Sequence, residues 1–202
     1  MGRSATLTAE IAATAARLVV EDGLEYGPAK RRAAQLLGKQ GLPAGELPDN
    51  ELLESEVRAY LALFCADTQP TELLAMRGVA MRWMERLAEF RPHLTGAVWR
   101  GTATRLNDVH LQLYCDDAKS AEIALLNAGI DYAVGSIRGP RGLPVDVLSL
   151  AEACPALGER VTVHLTILDH DDLRGALKPD AGGRTERGDA AALRQLLETT
   201  DD

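Results

Sequence analysis

The sequence predicts an α+β protein with its helices in front and its strands behind. Apolar residues recur at helical spacing through about residue 90, and from Gly96 onward the period changes to two. The turn Gly139-Pro140-Arg141-Gly142, set between two alternating runs, marks a hairpin and therefore an antiparallel pair. The expected boundaries are a helical module over 1–68, an α+β domain over 69–177, and a flexible linker with a terminal helix over 178–202.

Each element has a local reason. Ile11, Ala15, Leu18 and Val19 make one face of a first helix over about 8–21, and Gly23 stops it. Gly27-Pro28 opens a second, because proline in the first turn loses only a donor that had no partner, and Gly38 closes it. Its Lys30-Arg31-Arg32 run reads as a solvated face, since a DNA-reading helix pair wants a strongly basic surround. A Gly- and Pro-rich loop over 38–48 leads to a third helix carrying Leu53, Val57, Leu61 and Phe64. A longer helix starts at Pro70 and bears the stripe Leu73, Met76, Ala80, Trp83, Leu87 and Phe90, a core face rather than a ligand box. Strands are expected at about 96–100, 108–115, 131–138, 143–150 and 160–168, with a helix over 117–128. The pair Asp116-Asp117 reads as the cap of the helix after it, and the run Asp169-His170-Asp171-Asp172 as helix capping at a strand-to-helix junction; Asp189 caps a last helix, after a mobile 179–183 stretch and before a fraying Asp201-Asp202.

Composition narrows the function classes. With 202 residues, 46% of them hydrophobic, the chain can bury a proper core. A net charge of −8 disfavours a surface that is polyanion-binding as a whole, while leaving local basic patches open. Cys65, Cys115 and Cys154 are odd in number and widely spaced, which gives neither a disulfide framework nor a zinc pattern. Glu10 and Arg17 interrupt the first apolar segment, and no stretch approaches the ~20 apolar residues of a membrane span. The expectation is a cytoplasmic protein with reduced thiols and no membrane partner. Phosphate-loop, dinucleotide-fold, nucleophile-elbow and zinc-protease motifs are all missing from the sequence.

One stretch carries chemistry. An expected strand Ala97-Val98-Trp99 runs into Arg100-Gly101-Thr102, where a glycine followed by a hydroxyl lets backbone approach a phosphate. The next strand opens on Asp108-Val109-His110-Leu111. Alternation puts Asp108, His110, Gln112 and Tyr114 on one face and Val109, Leu111, Leu113 and Cys115 on the other. Two metal or proton ligands therefore stand side by side.

This order of elements resembles the nucleotidyltransferase (polymerase β-like) superfamily, particularly its small bacterial members, over about residues 72–168. Its signature is a Gly-Ser ending the first strand, an Asp-x-Asp strand about ten residues later, and a third acidic residue on a later strand. Gly101-Thr102 stands for the Gly-Ser, Asp108 for the first aspartate, His110 for the second and Asp146 for the third. The resemblance implies a mixed-sheet domain in which Asp108, His110 and Asp146 are catalytic metal ligands. It also implies phosphate contacts from Gly101, Thr102, Arg100 and Arg105. His164, on the polar face of its strand with Thr162 and Thr166, completes a possible His/His/Asp/Asp set.

His110 in place of a carboxylate removes one charge and one hard oxygen donor. A charge pair at ~4 Å is worth about 4 kcal/mol at an effective dielectric of 20, or about three decades of affinity. Three outcomes stay open. The site runs metal-dependent nucleotidyl transfer with magnesium or manganese, or with zinc, which favours imidazole. It binds a nucleoside triphosphate without catalysis. Or the fold serves as a regulatory module for a nucleic-acid or protein partner.

Overall fold

A computed structural model describes residues 2–39, 41–174, 176–179 and 183–199. The chain divides into two compact units, one of residues 1–70 with 102–107, the other of 71–101 with 108–202. The first unit also takes in a loop from the middle of the chain, which the expected 1–68 module does not contain.

The first unit is built on α1 (Gly2–Asp22), α2 (Tyr26–Leu36) and α3 (Asn50–Phe64). Its core joins Ile11, Ala15 and Val19 of α1 to Ala29 and Ala33 of α2 and Leu53, Val57 and Leu61 of α3. The alanines let helix backbones approach, and the larger residues fill the space between them. Asp49 caps α3 by accepting from the Leu52 amide at 2.8 Å. Lys30 donates to the Pro48 carbonyl and to Asn50 Oδ1, both at 2.9 Å, so this part of the basic run ties down the loop before α3. The 102–107 loop belongs here because Gly23 turns left-handed (φ +67°) against the Leu106 carbonyl, and Gln69 donates to the Ala103 carbonyl. Inside the loop, Asn107 Oδ1 accepts from the Thr104 amide at 2.8 Å.

The second unit is α+β. After α4 (Gln69–Arg86), whose first two residues belong to the first unit, come β1 (His93–Thr95), α5 (Gly96–Arg100), β2 (Val109–Cys115) and α6 (Ala118–Asn127). They are followed by β3 (Ala133–Arg138), β4 (Pro144–Cys154), β5 (Glu159–Asp169), β6 (Arg187–Gly188) and α7 (Ala190–Glu198). The strands form one mixed sheet in the order β3-β4-β5-β2-β1-β6. Only β2 and β5 run parallel; the other pairs are antiparallel.

One face of this sheet is apolar. Leu94, Val109, Leu111, Leu113, Leu148, Leu150, Val163 and Leu165 are all buried there. Ala121 and Leu125 of α6 are buried too, and Arg82 of α4 reaches Glu152 on this side of β4 at 3.8 Å. The opposite face carries the sheet's polar cluster, with Tyr114, Val147 and Leu168 buried on it as well.

Two expectations need correction. The run 96–100 is a short helix, not a strand: Gly96, at φ +75°, ends β1 after Thr95, and Gly101, at φ +81°, caps the turn that follows. Arg77 Nε donates to the Val98 carbonyl at 3.3 Å, which satisfies a helix-end acceptor. Nor is the C-terminal segment only a linker and helix, since β6 pairs with β1 as an edge strand. Asp117, Asp169 and Asp189 each accept a backbone amide as caps. The expected mobility of 179–183 and fraying of Asp201-Asp202 fall mainly on Asp180–Gly182 and the last residues, outside the described set. Among the described residues no helix is long and apolar enough to cross a membrane.

Candidate functional site

Strand register assembles the site. His110 lies beside His164 across the parallel β2–β5 pair, and Ser149 lies beside His164 across β4–β5. Neighbours in register share a face, so Asp108, His110, His164 and Ser149 project from the polar side of the sheet together. All four are half-buried.

His164 is held at both ring nitrogens. Nε2 lies 3.0 Å from Asp108 Oδ2 and Nδ1 lies 2.8 Å from Ser149 Oγ. The hydrogen bond from His164 holds the Asp108 carboxyl below its ordinary range; partial burial opposes this, and the positive character of His164 and His110 adds to it. An ionised Asp108 only accepts, so a neutral His164 carries its hydrogen on Nε2, and the Ser149 hydroxyl donates to Nδ1. The His110 ring stacks on His164, with centroids 4.8 Å apart and planes inclined at 22°. Gly96 supports that ring: a Cβ placed there would stand 3.5 Å from His110 Cδ2.

The same face continues toward the other sheet edge. Arg187 Nη1 donates to Gln112 Oε1 at 2.7 Å and to the Tyr114 hydroxyl at 3.2 Å, and that hydroxyl donates to Gln112 Oε1 at 3.0 Å. His93 packs edge-on to the Tyr114 ring at 5.3 Å. Across five strands this face therefore carries one carboxylate, three imidazoles, a guanidinium and several hydroxyls.

Asp146 does not join them. It sits three residues from Ser149 on an unbroken β4 register, which places it on the opposite face. There it lines a cavity of about 280 Å³ with Cys115, Arg141, Asp169 and Asp172. Arg141 bridges that cavity to Asp172 at 2.7 Å and to Asp169 at 3.7 Å. Burial, reinforced by Asp116, pushes the Cys115 thiol up to about 11, so it stays protonated. The predicted ligand set Asp108, His110, Asp146 and His164 is split between two faces. Among the described residues no three His, Cys, Asp or Glu side chains are grouped to hold a metal ion. The donors thus do not fit the magnesium, manganese or zinc site that the sequence suggested.

The predicted phosphate loop is divided as well. Gly101 is the left-handed cap of α5, and Arg100 closes that helix, both in the sheet unit. Thr102 and Arg105 belong to the helical unit, where Thr102 is buried. The glycine that follows the first strand is Gly96, with Ala97 after it in place of a hydroxyl residue.

Ser149 and Arg187 are the residues that sequence reasoning missed. Ser149 shares its face with Val145 and Val147 and carries no local mark; only its register against His164 gives it a role. Arg187 comes from a two-residue strand too short to leave a periodic signal. Comparison with family models, with curated proteins and with solved structures finds no match.

Proposed function

We propose that this protein is a nucleotidyltransferase-like nucleotide-binding protein whose ligand lies on the polar sheet face over Asp108, His110 and His164. The observation that carries the reading is the grouping of those three side chains on adjacent strands, next to the Gly96 turn. Asp108 offers a carboxylate acceptor for sugar hydroxyls or base amino groups, while His110 and Arg187 are the donors of this face suited to phosphate oxygens. The order of a strand, a glycine turn, an Asp-x-His strand and a helix supports the family likeness.

No transfer step is assigned. Two-metal phosphoryl transfer needs carboxylates converging on the ions, and here the third carboxylate lies on the far face while the first is engaged by His164. The reading is therefore nucleotide binding that does not depend on a magnesium pair.

Calorimetric titration of ATP, GTP, CTP and UTP, with and without Mg²⁺, Mn²⁺ or Zn²⁺, tests it. At least one nucleotide should bind without metal, and His110→Ala and Asp108→Ala should each weaken that binding about tenfold or more, a loss near 1.4 kcal/mol. Silence with every nucleotide, or affinity untouched by both substitutions, would move the search to nucleic-acid or protein partners.

A further inference from the structure

Ser149, His164 and Asp108 form a hydrogen-bonded chain. The Ser149 hydroxyl lies 2.8 Å from His164 Nδ1, and His164 Nε2 lies 3.0 Å from Asp108 Oδ2. With the imidazole hydrogen on Nε2 toward an ionised Asp108, the Ser149 hydroxyl donates to the Nδ1 lone pair. Thr162 also donates to the Asp108 carboxyl and so fixes it further. A hydroxyl within reach of a base, and a base oriented by a third group, is the arrangement that makes a serine nucleophilic. Register across β4, β5 and β2 holds all three in place. The approach to the hydroxyl is open. Ser149 is half-buried, and its neighbours on the same face, Ala133, Gly135 and Ala151, are small and exposed. The Asp108 side chain is 44% exposed.

We propose that Ser149 is an acyl-accepting nucleophile for activated carboxylic esters, with His164 Nδ1 as its general base and Asp108 as the residue that positions the imidazole. Ser149 Oγ bonds to the ester carbonyl carbon while the hydroxyl proton passes to Nδ1. The bond from that carbon to the leaving oxygen breaks, the oxygen keeps the electron pair, and Nδ1 returns the proton to it or to solvent. Water then attacks the acyl-serine in the same way and releases the acid, so ester and water give acid and alcohol. On this open face water solvates the oxyanion, so esters with good leaving groups react and amides do not. The chemistry needs no nucleotide, so its failure and a silent nucleotide titration are separate outcomes.

The test is incubation of the full chain with p-nitrophenyl acetate, following phenolate release and, after acid quench, the mass of each peptide. Wild type should give a burst of about one equivalent with the acetyl group on Ser149. Ser149→Ala should lose the burst, and His164→Gln should slow it about a hundredfold or more. The titratable groups facing His164 are Asp108, just before β2, and His110 on β2, while β4 presents Val147, Ser149 and Ala151. Asp108→Asn should therefore slow the burst and move the midpoint of its pH profile lower, because the imidazolium loses its counter-charge. The adduct on wild type carries the test without any variant, and the chain unfolded in urea should leave Ser149 unmodified over the same time. Acetyl groups on other residues only would overturn the proposal. So would a burst kept in Ser149→Ala, an unmoved midpoint in Asp108→Asn, or Ser149 acetylated as fast in His164→Gln or in urea as in wild type.

Discussion

His164 is the residue on which the polar face turns, because both of its nitrogens are committed to neighbours from different segments, Asp108 just before β2 and Ser149 in β4. Its bond to Asp108 has a consequence for pH dependence. Asp108 titrates lower in the folded chain than in the unfolded one, so its contribution to stability is present above the unfolded value of about 4 and is lost as pH falls through the folded value. Asp108→Asn should therefore be less stable than wild type at neutral pH, with the gap closing under acid conditions; urea midpoints measured across that range check it. A gap that persists unchanged in acid would mean that the ion is not what stabilises. Much of this site was legible in the sequence: alternation alone placed Asp108 with His110 and His164 with Thr162. Asp146 was misplaced because alternation fixes faces within a strand, whereas the relation between strands depends on register, which no single-strand pattern contains.

Among the elements, the β1–α5 corner decides what the sheet can present. The run Ala97-Val98-Trp99 between two glycines is apolar and short, so a buried strand and a single helical turn look alike in sequence. The left-handed conformation of Gly96 breaks the tie by ending β1. Most of the longer elements were read to within a few residues because their periodicity runs over several repeats, although α1 begins at Gly2, well before the expected start near residue 8, and β6 escaped because two residues have none. Trp99 is the pin of this corner. Its indole donates to the Thr185 carbonyl at 2.7 Å, and its ring lies where any side chain at Gly188 would go. Gly188→Ala should accordingly force Trp99 or β6 aside and cost about 1–3 kcal/mol, the range for overpacking a filled site. Chemical denaturation followed by tryptophan fluorescence measures it, and a variant as stable as wild type would show that β6 tolerates displacement.

At the scale of the whole molecule, the chain passes between its two units at Pro70–Thr71, Gly101–Thr102 and Asn107–Asp108. The last two crossings bracket the segment between α5 and the Asp-x-His strand. The change of period comes only from Gly96 onward, inside the second unit, so it does not mark Pro70–Thr71; the loop over 102–107 has no period to change, and its membership rests on contacts made far along the chain. The central claim, that function resides on the polar sheet face, meets its most direct test through the four histidines of the chain. Of these, His110 and His164 stand at the proposed site, while His170 lies past the end of β5, 3.9 Å from Asp116. Histidine ring ¹H–¹³C spectra recorded during a metal-free nucleotide titration should show the His110 and His164 signals moving together and saturably, with His170 still. Movement of His170 alone, or of none of the four, would contradict the account.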